Sequence, residues 1–307
     1  MNATPLSADE ARRCGFVAVV GAPNVGKSTL VNALVGSKVS IVSPRSQTTR
    51  ARVRGIFVEG AAQVVLVDTP GLMKPKRLLD RAMLAAAWRS LEDADLVLLL
   101  VDATKGRDAA ADQVIGRMKS RRLPAGLVIN KVDRVAKPKL LPLIAELTRG
   151  MPLFERVFLI SARSGDGIDD LRRFIAAHMP LSPWLYPADQ STDTPQALLA
   201  AEITREQVFV QLRDEVPRST AVLPARWQEL PDGALVIEQT IYVERESQRP
   251  ILIGEEGTRL RQIGERSRLE LERRLGRRVH LFLTVVVRRD WPDDREACTW
   301  HQLERPS

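Results

Sequence analysis

The chain has 307 residues, 44% of them hydrophobic, with a net charge of +8 and two cysteines. That length suits two domains rather than one. No transmembrane helix is expected, because the longest aliphatic run, Leu96–Val101, is far shorter than a bilayer span; the acidic, apolar-poor N-terminus is not a secretory signal, and Cys14 and Cys298 alone make neither a disulfide framework nor a metal site, which suits a reducing cytosol.

Residues 1–13 read as a tail. From there, short apolar runs at Phe16–Val20, Val64–Val67, Leu96–Val101, Leu127–Asn130 and Val157–Ile160 read as buried strands. Amphipathic stretches at 27–36, 78–92, 108–121, 138–149 and 168–178 alternate with them as helices. This alternation predicts an α/β domain over 14–180, with a mainly parallel sheet and helices on both faces. Four prolines and several small polar residues over 179–197 predict a linker, taken as 181–197.

Four motifs punctuate the first domain. Gly21-Ala22-Pro23-Asn24-Val25-Gly26-Lys27-Ser28 matches the Walker A pattern between a strand and a helix. There, backbone N–H groups and the helix N-terminus can cradle phosphates, Lys27 can contact the β- and γ-phosphates, and Ser28 can ligate Mg²⁺. In Gln47-Thr48-Thr49-Arg50, Thr49, or alternatively Thr48, is expected to close over the nucleotide and ligate Mg²⁺. Asp68-Thr69-Pro70-Gly71 ends a strand, which puts Asp68 near the Mg²⁺ shell and the Gly71 N–H near the γ-phosphate. In Asn130-Lys131-Val132-Asp133, Asp133 can accept from guanine N1–H and N2–H₂, which adenine does not offer in that arrangement. Asn130 would bond the ring's far edge or brace the P-loop, and the Lys131 stem would cover the ring face. Ser161-Ala162 would complete the pocket, with the Ala162 N–H facing guanine O6.

The implied reaction is hydrolysis of GTP. Lys27, Thr49 and Gly71 are the residues expected to carry it. Leu72 occupies the position where some GTPases place a water-orienting glutamine, and leucine cannot hydrogen-bond water. Intrinsic turnover should therefore be slow.

The second part reads as a helix at 198–215, strands at 220–229 and 234–243 joined by Pro231-Asp232-Gly233, and a strand at Ile251–Ile253. A glycine loop, a long helix near 257–275 broken close to Gly264, and a strand at His280–Val287 follow. The charge is uneven between the two parts. Residues 1–180 hold 28 Lys and Arg against 17 acids, whereas residues 181–307 hold 18 Arg and 21 acids. An anionic partner such as nucleic acid or a membrane surface is one reading of the basic total.

The set GAPNVGKST, QTTR, DTPG, NKVD and SA, followed by Val243-Glu244-Arg245, Ile253-Gly254-Glu255-Glu256-Gly257 and Ile263-Gly264, resembles the Era-like bacterial GTPases. The resemblance covers roughly 14–180 and 198–297, and implies a P-loop GTPase domain joined to a smaller α+β type II KH domain, with 298–307 a C-terminal tail. It implies a monomer that binds GTP or GDP, binds small-subunit (16S) ribosomal RNA near its 3′ end and assists maturation of that subunit. It also implies a cytoplasmic location with some peripheral association with the inner membrane. At the Asn24 position, similar GTPases hold a K⁺ ion beside the phosphates. In the second domain, Gly254 and Gly257 would let the RNA backbone approach closely. The inner pair, Glu255-Glu256, replaces a usually basic residue. Nine arginines, among them Arg249, Arg259, Arg261 and Arg268, outnumber the acids of 249–278 by four. A tRNA-modification GTPase and a membrane-surface signalling GTPase share the nucleotide motifs and are the alternatives.

Overall fold

The structure, a computed structural model, describes residues 12–43, 48–50, 53–72, 75–121, 123–149, 154–212 and 216–304. The first domain is a six-stranded sheet of β1 (Arg13–Gly21), β2 (Val53–Glu59), β3 (Ala62–Asp68), β4 (Leu96–Asp102), β5 (Ala125–Asn130) and β6 (Phe154–Leu159), in the order β2-β3-β1-β4-β5-β6. All neighbours are parallel except β2, which pairs antiparallel with β3. Central strands β3, β4 and β5 are buried at every position, as parallel strands covered on both faces must be.

Helices α1 (Lys27–Val35), α2 (Leu78–Glu92), α3 (Ala109–Arg121), α4 (Leu140–Thr148) and α5 (Ile168–Ala177) supply that cover. One apolar cluster joins α1 and α5 to one sheet face through Leu30, Leu34, Leu171 and Ile175. The other joins α2, α3 and α4 to the opposite face through Leu91, Val114, Met118 and Leu147. With that connectivity, the P-loop, the DTPG turn and the NKVD loop all leave the C-terminal edge of the sheet, where ligands bind in open α/β folds.

Strand β2 is not among the apolar runs of the sequence. Arg54, Gly55 and Glu59 interrupt its hydrophobicity, as an edge strand with one paired neighbour tolerates. Residues 181–197 also do more than link. Leu181 bridges Arg13 and Thr192 bridges Gly55, while the Gln63 side chain accepts from the Leu185 and Tyr186 amides at 2.8 and 3.0 Å. The linker is a strap that runs from the start of β1 past β3 to the edge strand β2.

The second domain comprises α6 (Gln196–Gln211), β7 (Thr220–Glu229), β8 (Leu235–Val243), α7 (Gln248–Ile253), α8 (Thr258–Leu275), β9 (Val279–Val287) and α9 (Arg295–Trp300). β7 and β8 form an antiparallel hairpin, and β9 adds parallel to β8. A parallel neighbour requires a crossover, which α7 and α8 provide. Two expectations are corrected here. Ile251–Ile253 is the end of a short helix, not a strand: Leu252 is buried while Ile251 is 44% exposed, a one-sided pattern that three apolar residues cannot reveal. The long helix α8 runs unbroken through Gly264, where its own hydrogen bonds outweigh glycine's weak preference against helix.

Residues 298–304 do not trail into solvent. Cys298, His301 and Leu303 are buried, and Trp300 stacks on Tyr242 at 5.0 Å between ring centroids. Cys298, Leu303, Trp300 and Trp291 pack on Leu79, Ala82, Met83 and Ala86 of α2, so the chain's last described turn lies against the GTPase domain.

Candidate guanine-nucleotide site

The motifs converge on one cavity of about 550 Å³, lined by Pro23, Asn24, Gly26, Lys27, Ser28, Thr48, Thr49, Thr69, Gly71, Asn130, Lys131, Asp133, Ser161 and Ala162, among others. Gln47 lies outside the described residues. Val25 and Leu72 enter the two apolar cores, and their links to the site are through the backbone. The Val25 carbonyl accepts from Asn130 Nδ2 at 2.8 Å, and the Leu72 N–H faces the Gly21 carbonyl at 3.4 Å. Gly26 has φ of 104°, and a Cβ there would meet Asn130 Nδ2 at 2.4 Å, so only glycine lets the asparagine reach the loop.

Lys27 opens α1. Its ammonium donates to the Gly21 and Ala22 carbonyls at 3.2 and 3.0 Å. Burial pushes its pKa down to about 8, against the pull of Asp68. A buried cation with so little compensating charge is suited to an incoming polyphosphate.

Three oxygens meet beside it. Ser28 Oγ and Thr49 Oγ1 are 2.9 Å apart, and Thr49 Oγ1 donates to Asp68 Oδ2 at 3.1 Å. Asp68 is fully buried, and burial pushes its carboxyl pKa up, although the Ser40 hydroxyl and the Lys27 charge oppose the shift. Its Oδ1 is buried without a hydrogen-bond partner among the described residues. Two hydroxyls and a carboxylate with a spare oxygen form a hard-oxygen donor set that fits Mg²⁺. Of the two threonines weighed, Thr49 is the one at these oxygens.

Sequence reasoning missed Ser40. It donates to Asp68 Oδ2 at 2.7 Å, while Asn32 Oδ1 accepts from the Val39 and Ser40 amides, both at 2.9 Å. A lone serine in a loop carries no spacing signal, and only the fold brings it to the carboxylate.

On the base side, Asn130 settles into the bracing role. Its Nδ2 bonds the P-loop, and its Oδ1 accepts from the Ala162 N–H at 3.0 Å. That amide, expected to face guanine O6, bonds Asn130 here. Lys131 adopts φ of 65° and sends its ammonium to the Asn24 carbonyl at 2.7 Å and Asp102 Oδ2 at 2.6 Å. Burial favours the neutral Asp102, but the bonds from Lys131 and Thr104 outweigh it, and the net shift is downward. Asp133 is exposed at the cavity mouth, as a residue waiting for a base must be.

The second candidate surface is the loop between α7 and α8. Gly254 and Gly257 both have positive φ, 76° and 75°. Glu255 and Glu256 are exposed, and Glu256 itself lies in the left-handed region at φ 48°. Arg249 and Arg261 are exposed, with no carboxylate partner among the described residues. Arg259 donates to the Ile251 carbonyl at 2.9 Å, and Arg268 is paired with Glu272 at 2.9 Å. Arg273 and Arg277 also have carboxylate partners, and Arg274 is turned toward the Lys38 carbonyl of the first domain. The arginine excess near the loop is therefore smaller than a count suggests.

The chain matches the 50S ribosome-binding GTPase family over residues 16–131 and the KH domain family over 215–292. It is 53% identical to GTPase Era of Afipia carboxidovorans, over 96% of this chain and 95% of that protein, and 51% identical to GTPase Era of Brucella suis, over 96% and 94%. Among solved structures, Era in complex with MgGDPNP and nucleotides 1506–1542 of 16S ribosomal RNA superposes with a TM-score of 0.90 at 41% identity, covering 94% of this chain and 98% of that one. A point variant of Aquifex aeolicus Era bound to GDP·AlF₄⁻ matches with the same score at 42% identity and the same coverage. The nucleotide cavity, the glycine loop and these likenesses agree over both domains, and the chain belongs to the GTPase Era family.

Proposed function

We propose that this protein binds GTP with Mg²⁺, hydrolyses it slowly, and holds small-subunit ribosomal RNA near its 3′ end while that subunit matures. The observation that carries the RNA half is the likeness, across both domains, to an Era bound to MgGDPNP and nucleotides 1506–1542 of 16S RNA. The tRNA-modification and membrane-signalling readings leave the second domain without a role. The functional units are taken as 14–180 for the nucleotide and 198–297 for RNA. No described helix is long and apolar enough to cross a membrane. The cytoplasm, where such RNA lies, is the proposed compartment, and a peripheral membrane fraction is not part of this reading.

Within this reading, Lys27 and the Gly71 N–H hold the γ-phosphate, and Ser28, Thr49 and Asp68 hold Mg²⁺ directly or through water. The ion would neutralise charge on the phosphates as it develops. Asp133 selects guanine, Asn130 braces the P-loop, and Asn24 offers its amide oxygen to a K⁺ ion. Leu72 is buried, which supports slow unaided turnover. Gly254 and Gly257 admit the RNA backbone, with Arg249, Arg259 and Arg261 beside them.

Gly257→Asp tests the RNA half. A Cβ at Gly257 meets nothing within 4 Å, whereas one at Gly254 meets Arg259 Cβ at 2.8 Å and would disturb α8. The left-handed backbone costs about 1–2 kcal/mol, too little to unfold the domain. Gly257→Asp should lose binding to an oligonucleotide of the 16S 3′ end while GTP hydrolysis persists. Undiminished RNA affinity in this variant would sink the assignment.

A further inference from the structure

The half of the molecule that carries the glycine loop is the acidic one, with 18 arginines against 21 acids. The basic excess lies in the GTPase half and is concentrated. Residues 103–139 hold ten Lys and Arg against three Asp. Ion pairs absorb some of this charge: Arg107 with Asp112, Arg117 with Glu92, and Lys131 with Asp102. Lys105, Lys119, Arg134, Lys137 and Lys139 are exposed, and none of the five is ion-paired among the described residues.

Three of these, Lys105, Arg134 and Lys139, rim a groove of about 460 Å³ between the loop after β4 and the start of α4. Val135, Pro142 and Leu143 form its apolar lining, and Glu146 is an acid on its rim. Arg134 also borders the nucleotide cavity, so the groove abuts the guanine-reading loop. Clustered like charges repel one another, by about 1 kcal/mol for a pair at 4 Å in water, and gain nothing within the chain. A polyanion laid along them relieves the repulsion and releases the counterions it carried. Cations around an apolar floor match a nucleotide chain, with phosphates on the rim and a base or sugar over the floor.

We propose that this groove is a second RNA-contact surface, which takes the phosphodiester backbone of small-subunit ribosomal RNA outside the segment held by the C-terminal domain. The inference rests on the RNA-binding reading above and adds a surface to it. Its consequence is that the GTPase domain touches RNA itself, next to the loop that reads the base.

The test combines Lys105→Gln, Lys137→Gln and Lys139→Gln, and leaves Arg134 in place because it borders the nucleotide. Affinity is measured over a range of KCl concentrations for an oligonucleotide of nucleotides 1506–1542, for naked full-length 16S RNA and for the small subunit. The oligonucleotide should bind wild type and variant alike, with the same salt dependence. On full-length RNA the variant should bind about tenfold more weakly at low salt, and its slope of log K against log salt should be shallower by about 2, from three lost phosphate contacts. Equal slopes on full-length RNA overturn the proposal. A loss on the subunit but not on naked RNA also overturns it, and points to an acidic ribosomal protein instead. A loss on the oligonucleotide overturns it too, by placing these cations in the C-terminal domain's own footprint. If wild type fails to bind the oligonucleotide, the reading under Proposed function fails, and the groove is still judged by the slope on full-length RNA.

Discussion

Asp133 and Asn24 occupy the cavity in different ways, and each leads to a test at the level of one side chain. Asp133 is exposed at the cavity, and the proposed reading gives it the two donors of guanine. Asp133→Asn replaces an acceptor pair by an acceptor and a donor. It should weaken GTP by two orders of magnitude or more and shift preference toward xanthosine nucleotides, which competition binding would read directly. Retained GTP selectivity would remove Asp133 from the base site. Asn24 holds φ of 64°, a left-handed turn that asparagine tolerates, with its side chain on the cavity wall. If its amide oxygen holds K⁺, hydrolysis in KCl should exceed that in NaCl at equal ionic strength by roughly tenfold, a modest part of what an oxyanion-hole donor contributes. Asn24→Ala should abolish the difference, and so should Asn24→Gly, which keeps the turn without strain. Equal wild-type rates in the two salts would reject the cation. The expectation for Asn24 comes from the resemblance to similar GTPases, and Asp133 was legible from the spacing of its motif. Ser40 was not, because its partner Asp68 lies 28 residues away.

Among the elements, the α7–loop–α8 unit departs most from its sequence-based expectation. The apolar triplet Ile251–Ile253 suits a buried strand as well as a helix end, and three residues cannot show a period of 3.6. What decides is packing: Leu252 enters the core with Ile263 and Val285, while Ile251 stays outside. The loop that follows carries two exposed carboxylates, and five of the nine nearby arginines expected to offset them are already engaged. Glu255→Lys with Glu256→Lys should therefore tighten RNA binding and steepen its slope against log salt by roughly 1.5, at about 0.7 per new single-strand phosphate contact. Fluorescence anisotropy with a 16S 3′-end oligonucleotide across a salt series reads both quantities. If neither changes, the loop does not face RNA.

At the scale of the whole molecule, the second domain packs on both the segment around Thr49 and the helix that follows the DTPG turn. Arg50, next to Thr49, is buried and donates to the Thr220 and Arg218 carbonyls at 2.7 and 2.6 Å. Burial, and then the charge of Arg205, lowers its pKa to about 9. Arg205 in turn reaches the Thr48 carbonyl, and Glu206 accepts from the Val42 amide at 2.9 Å and from Lys38. On the other side α2, which follows the DTPG turn, carries α9 and Trp291. His301 closes this interface against the Trp291 ring. Burial, followed by the charges of Arg50 and Arg205, lowers its pKa well below the usual value. A histidine neutral in the fold but protonated when unfolded removes stability as pH falls below about 6.5, by about 1.4 kcal/mol per unit until its folded pKa is reached. Thermal unfolding of wild type should therefore fall more between pH 7.5 and 5 than that of His301→Gln, by the equivalent of roughly 1–2 kcal/mol. Parallel pH profiles would show that His301 is not held neutral.

The nucleotide chemistry of this protein was determined by the sequence alone. The phosphate and base motifs are each a few adjacent residues whose spacing is set by local strand–loop–helix geometry, so they identify themselves without a fold, whereas the oxygens of Ser28, Thr49 and Asp68 come from three motifs that only the fold brings together. The α/β alternation and the hairpin of the second domain were legible for the same reason, since periodicity and turn chemistry act over a few residues. The tertiary structure decided what depends on distant partners. It bound the linker to β3 through Gln63, gave the Ala162 amide to Asn130, and buried Arg50 under carbonyls 168 and 170 residues away. It also turned the last residues into an interdomain contact. In each case an ordinary side chain acquires its role from burial and from a partner far along the chain, and no local pattern encodes either.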